Sequence, residues 1–250
     1  MNLSEIKTLL DNEVLYRNNC SEISLDKPDP LLIATHYNDE TIALICALFA
    51  YGNARLIVKF LQSLDFSLLE CSDEVIIKTL HFHYYRFQNS EDVATLFIAL
   101  KRLKQIDSIE NIFYEGYKKE ENVLEGLWEF ITTLKSVVEH KSRGYDFLVG
   151  SVPKKQSAMG TYKRYMMYLR WMVRKDNLDL GLWSKIEKKD LLLPLDTHTF
   201  KVSQRLGLLK RKTYDMKATL EITKRLRRFD KADPIKYDFA LYRLGQEKLQ

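Results

Sequence analysis

Two residues of the 250-residue chain have the chemistry of a reaction centre. Lys163 stands in the first turn of the run TYKRYMMYLRWMVRK, and Asp196 stands 33 residues later in LPLDTHTFKVSQRLGLL. An ammonium at a helix N-terminus faces the positive end of the macrodipole, a mismatch of about 0.3–1 kcal/mol. That setting is one way to build a nucleophilic lysine. A carboxylate at a helix N-cap accepts backbone N–H bonds, which favour its ionised form. Together an amine and an anion offer covalent attack plus stabilisation of developing positive charge. Each residue also has an ordinary reading: Lys163 as part of a solvated basic face, and Asp196 as a cap and nothing more.

The elements that must position these two groups are helical. In the run that starts at Lys163, Tyr165, Leu169, Met172 and Val173 form an apolar stripe, and Lys163, Met167, Arg170 and Arg174 fall on the opposite face. Upstream, residues 38–64 open with an Asn-Asp capping signal and read as two helices meeting at a tight turn, Tyr51-Gly52-Asn53. SEDVATLFIALKRLKQI is a further helix with Ser90 as its cap, and another spans about 121–140. From 142 to 160 the pattern dissolves into SRGYDFLVGSVPKKQSAMG, a loop-like joint between lobes. Beyond it, helices are expected at 161–175, 180–187, 197–206, 213–229 and 234–247. The last of these sets Asp238 and Tyr242 one turn apart on a single face. Trp171 and Trp183 read as core.

Composition agrees with this framework. Hydrophobic residues make up 46% of the chain, enough for a sizeable core, while nine Gly, five Pro and few alternating runs favour an all-α protein. Residues 151–250 hold 24 Lys and Arg against 11 Asp and Glu, whereas residues 1–150 hold 15 against 23. A basic half of that strength suits a phosphate backbone, or alternatively the acidic half of the same chain. The N-terminus lacks a signal-peptide core and no run approaches a membrane span, so a soluble, intracellular protein with no membrane partner is expected. Cys20, Cys46 and Cys71 are odd in number and without C-x-x-C spacing, which predicts reduced thiols, Cys46 in the core, and no thiolate metal site. His81, His83 and His198 have no companions at metal-binding spacing.

The combined blocks resemble the helix-hairpin-helix DNA glycosylases, the endonuclease III superfamily. PLDTHTFKVSQRLGLL is similar to that superfamily's V-D-T-H-x-x-R-V block, with Asp196 at the catalytic aspartate and Lys201 at the following basic position. Gly160-Thr-Tyr-Lys163 reproduces the placement of the lysine of bifunctional members, after a Gly-containing turn. The lysine-to-aspartate spacing resembles that of archaeal 8-oxoguanine glycosylases. KRYMMYLRWMVRKDNLDLGLW, PLDTHTFKVSQRLGLL, DPIKYDFALYRLG and ALFAYGN also resemble an uncharacterised bacterial family. Two departures stand out: VGSVPKKQSAMG replaces the usual L-P-G-x-G hairpin, and no Cys after residue 71 can hold an iron–sulfur cluster.

The resemblance implies an all-α, two-lobed fold over 1–250 with a cleft between the lobes, the hairpin-like and catalytic blocks lying in 142–246. It implies a bifunctional DNA glycosylase and AP lyase of base excision repair that removes an oxidised purine, 8-oxoguanine first among them, without a cofactor or metal. The partner would be double-stranded DNA with a damaged base, met by a monomer in the bacterial cytoplasm at the nucleoid. Lys163 would be the nucleophile and Asp196 the charge-stabilising carboxylate. Asp238, Tyr242 and Arg170 would line the base pocket, Lys154, Lys155, Arg164, Lys201 and Arg205 would hold the DNA backbone, and Tyr51 and Asn53 would form the wedge. A helical nucleic-acid-binding protein without chemistry and a monofunctional alkyl-base glycosylase are the alternatives.

Overall fold

Helix caps written into the sequence set the boundaries of most elements of the structure, a computed structural model that describes residues 1–152 and 160–247. Among the described residues there are thirteen α-helices and no β-strand, only two isolated bridges. No helix of the described residues is long and apolar enough to cross a membrane. The chain divides into two compact units, one of Leu25–Val152 and one joining Met1–Ser24 to Pro153–Gln250. The change of unit after Val152 falls inside the expected joint. The return of the first 24 residues to the C-terminal unit had no local signal.

The Leu25–Val152 unit is built around a buried helix. α2 (Leu31–Tyr37) ends at Asn38, whose φ of 50° is the left-handed conformation that Asn tolerates. Asp39 then caps α3 (Glu40–Leu48) through the N–H groups of Thr41 and Ile42, as the Asn-Asp signal predicts. Every residue of α3 from Thr41 to Leu48 is buried, Cys46 completely, and burial pushes its thiol well above the ordinary range. The turn at Gly52 leads into α4 (Ala54–Ser63), then α5 (Asp73–Leu80) and α6 (Ser90–Ile106). The cap of α6 is Asn89 in a reciprocal box with Asp92, so Ser90 is the first helical residue instead of the cap.

Two glycines let α7 (Ile109–Tyr117) and α8 (Val123–Ser136) close on each other. A methyl on Gly116 would come 2.3 Å from the Glu125 carbonyl oxygen, and one on Gly126 would come 2.4 Å from the Phe113 ring. The segment expected to be loop from 142 contains α9 (Arg143–Val149), seven residues capped by Ser142. A helix this short draws its stability from tertiary contact. Here buried Asp92 accepts hydrogen bonds from Ser142 and from His140 Nε2 at 2.9 Å, holding the start of α9 against α6.

In the other unit, α1 (Leu3–Arg17) packs on α13 (Asp238–Glu247), and Arg17 reaches Glu13 at 2.8 Å and Glu247 at 2.6 Å. α10 (Lys163–Val173) is buried from Tyr165 to Val173, Trp171 included. The expected helix at 180–187 does not form: after Gly181 the chain is irregular up to a single tight turn, Lys188–Asp190. Trp183 is nonetheless core, as read from the sequence. Extended Leu191–Leu195 is buried, with Leu193 N–H donating to Thr223 Oγ1 at 3.1 Å. α11 (Thr197–Arg205) and α12 (Met216–Leu226) follow. α11 lies against α13 at Gly245, where an added Cβ would stand 2.9 Å from the Cβ of His198.

Candidate functional site

Lys163 opens α10 directly after Tyr162, whose φ of 45° turns the chain sharply and whose side chain supplies no cap. Tyr162 therefore offers no side-chain acceptor to the first N–H groups of the helix, unlike the caps of most other helices here. Lys163 is half-buried, and its amine has no ion-pair or hydrogen-bond partner among the described residues. Asp196 is also half-buried and is the N-cap of α11, its Oδ1 accepting from Thr199 N–H at 2.7 Å. Its second oxygen has no partner among the described residues. One oxygen of this carboxylate therefore caps a helix while the other is left without a partner among the described residues.

One phenol links the two positions. The Tyr214 hydroxyl donates to the Leu195 carbonyl at 2.5 Å, directly before Asp196, and accepts from Thr161 Oγ1 at 3.4 Å, two residues before Lys163. The backbone entering α10 and the backbone entering α11 are thus tied through a single oxygen. Burial of that hydroxyl, opposed by the Thr161 bond and reinforced by the Asp196 charge, holds Tyr214 above the ordinary tyrosine range. Phe200 of α11 meets the Tyr214 ring edge-on at 5.6 Å. Sequence reasoning missed both Tyr214 and Thr161, and neither belongs to a local pattern that would have singled it out.

α10 also contributes to a buried charge network. Arg170 Nη1 is 2.5 Å from Asp238 Oδ2 and its Nε is 3.1 Å from Asp179 Oδ1. Arg174 pairs with Asp179, with Asp176 at 2.9 Å and with Asp233 at 2.9 Å. Arg170, Arg174, Asp179 and Asp238 are all buried. The stripe of cations read as the polar face of α10 is therefore an interior one. Four aspartates from 176 to 238 make its burial tolerable, since removing one partner of such a pair leaves an uncompensated charge at a cost of about 3–5 kcal/mol. Burial pushes Asp238 up to about 6; Arg170 opposes the shift, while the charges of Asp196 and Asp179 add to it.

This geometry changes the expected roles of the pocket residues. Asp238 and Arg170 are committed to each other, so neither stands open to read a base edge, and the Asp196 charge acts on Asp238. Tyr242 is half-buried, 6.3 Å edge-on from His198, and its hydroxyl accepts from Gln246. Lys201 and Arg205 are exposed one turn apart on α11, whereas Arg164 is half-buried beside Lys163. Lys154 and Lys155 lie outside the described residues. In the other unit, Asn53 uses its side-chain oxygen to cap α4 through Arg55 and Leu56, and the Tyr51 hydroxyl bonds to Gln88.

Among the described residues, the arrangement offers an unpaired amine, a carboxylate with one available oxygen, and a phenol that ties the segments carrying them. The family described as "Protein of unknown function (DUF2400)" matches residues 29–247. No curated protein and no solved structure matches the chain.

Proposed function

The chain belongs to the DUF2400 family, and from its site we propose that it is a bifunctional DNA glycosylase and AP lyase acting on an oxidised purine, 8-oxoguanine first among them. The observation that carries the reading is the Thr161–Tyr214–Leu195 bridge, which ties together the chain entries to Lys163 and Asp196. The resemblance of the PLDTH and Gly-Thr-Tyr-Lys blocks to helix-hairpin-helix glycosylases supports it, and with it a two-lobed fold of that type with DNA held in a cleft.

In this reading the damaged nucleotide leaves the duplex stack, since its sugar is otherwise shielded, at a cost of a few kcal/mol. The Lys163 amine attacks C1′ through its nitrogen lone pair, and the C1′–N bond to the base breaks with its electron pair leaving on the base, which takes up a proton. Asp196, through its second oxygen, stabilises the positive charge that develops on the sugar. Loss of a proton from nitrogen and opening of the sugar ring give a Schiff base. Removal of a C2′ proton then expels the 3′ phosphate by β-elimination, and water hydrolyses the imine to free Lys163. Exposed Lys201 and Arg205 would contact phosphate. The protein would act as a monomer on double-stranded DNA in the bacterial cytoplasm, at the nucleoid.

Borohydride reduction during turnover of a duplex containing 8-oxoguanine tests the reading. A covalent adduct that disappears in Lys163→Gln is expected. Excision without an adduct would leave a monofunctional glycosylase, and neither excision nor adduct across a panel of lesions would overturn the enzyme reading.

A further inference from the structure

The Leu25–Val152 unit carries a cluster of aromatic rings on its surface, around the turn that joins α5 to α6. Phe82, Tyr84 and Phe87 are 84%, 76% and 58% exposed. Rings this open in one turn are uncommon on a surface with no partner. The support beneath them is stiff. Gln88 is buried; it accepts from the Tyr51 hydroxyl, donates through Nε2 to the Gly144 carbonyl at 2.7 Å, and pairs its backbone with Tyr85. Tyr85 in turn donates to the Tyr51 carbonyl at 2.8 Å. One buried amide therefore locks the Tyr51 turn, the ring-bearing turn and α9 together.

Arg86 sits in the middle of this surface in the left-handed region, φ 54°, a conformation disfavoured for a long side chain. Its guanidinium lies 5.7 Å from the centre of the Tyr51 ring and 5.5 Å from that of Phe87, two rings parallel to within 1°. It also covers Gly52, whose φ of 103° lies in the region that favours glycine. A planar cation is thus held among rings at the surface, and exposed Arg55 and Arg143 stand at the starts of the flanking helices α4 and α9. Residues 81–89 contain no acid, although residues 1–150 as a whole hold 23 acidic against 15 basic side chains. Rings interleaved with arginines match stacked bases and their phosphates better than an apolar protein face.

We propose that this surface binds single-stranded nucleic acid, with Phe87 stacking on an unpaired base and Arg86 contacting the strand beside it. The surface lies on the Leu25–Val152 unit, and its test does not depend on turnover. Binding of the full-length Lys163→Gln protein to a fluorescent thymidine homopolymer, and to a single strand containing 2-aminopurine, reads it directly. Phe87→Ala should weaken single-strand binding by about 5- to 150-fold and abolish the stacking-induced change in 2-aminopurine fluorescence. Arg86→Ala should weaken binding and lower its salt dependence.

Phe87→Leu keeps an apolar side chain without a π-face, so it separates stacking from simple burial, and circular dichroism checks that each variant folds. Undiminished binding and fluorescence change in Phe87→Leu would overturn the proposal. So would a parent protein that ignores single strands, or one whose ring surface only joins two copies of the chain, seen as a dimer by sedimentation that Phe87→Leu dissociates. Borohydride trapping at Lys163 reports separately on the glycosylase reading, so either can fail alone.

Discussion

The Tyr214 hydroxyl donates to the carbonyl of Leu195, the residue before Asp196, and the same oxygen accepts from Thr161, two residues before Lys163. Two segments separated by more than thirty residues are thereby held in register at the point where an amine and a carboxylate leave the backbone. Several consequences can be measured.

Tyr214→Phe removes both hydrogen bonds while keeping the ring against Phe200. The loss should cost about 1–2 kcal/mol in chemical denaturation. If the bridge positions the reactive pair, adduct formation at Lys163 should slow by more than this destabilisation explains at temperatures where the variant is fully folded. Unchanged adduct formation alongside reduced stability would make the phenol purely structural.

Asp196 caps α11, and different substitutions should separate that cap from the chemistry proposed for it. Serine is as good an N-cap as aspartate, so Asp196→Ser should leave stability within a few tenths of a kcal/mol, whereas Asp196→Ala should lose about 1 kcal/mol. Both should reduce base excision by about 10²–10⁴-fold if the carboxylate takes part in the chemistry. Paired melting curves and single-turnover rates distinguish a cap from a catalytic group.

Asp238 gives a pH dependence whose sign follows from its environment. Its folded value of about 6 lies above the ordinary aspartate value of 3.8. Through that interval the unfolded chain has released the proton and the folded chain still holds it. The contribution of Asp238 to stability is therefore full at low pH and lost as pH rises through about 4 to 6, then flat. Asp238→Asn keeps an acceptor for Arg170 and should remove this component, seen by comparing denaturation curves of the two proteins across the window. Carboxyl NMR should find a group titrating near 6 that the variant lacks.

The contact of α11 with α13 depends on a missing side chain. Gly245→Ala would place a methyl 2.9 Å from the Cβ of His198 and 3.0 Å from its carbonyl oxygen, and neither can swing away cheaply. A loss of about 1–3 kcal/mol is expected on denaturation. A Cβ at Gly160 meets nothing within 4 Å, so Gly160→Ala should change stability by no more than about 0.5 kcal/mol.

The parts of the molecule legible in the chain are those governed by short-range rules. Asp39, with the Asn before it, and Asp196 announce their helices because a cap acts over three residues. Trp171, Trp183 and Cys46 are buried as their types suggest. Lys163 and Asp196 each stand at a helix start, as the local pattern predicts. Where local rules were weak, the reading failed. The stretch from 180 to 187 has helical spacing but no helix, and α9 forms where the pattern seemed to dissolve, because contacts with Asp92 and Gln88 compensate for its shortness.

By itself, then, the sequence determined an all-helical chain, its principal caps, most of its core, and a basic C-terminal half. Tertiary structure alone decided that Arg170 and Arg174 lie inside, that Asp238 pairs with Arg170 and so is closed to a ligand, that the first 24 residues join the C-terminal unit, and that Tyr214 links two chain entries. The physical reason is range. A helix start is fixed by neighbours within one turn, whereas whether a cation can be buried depends on carboxylates up to 68 residues away that only the folded chain brings to it.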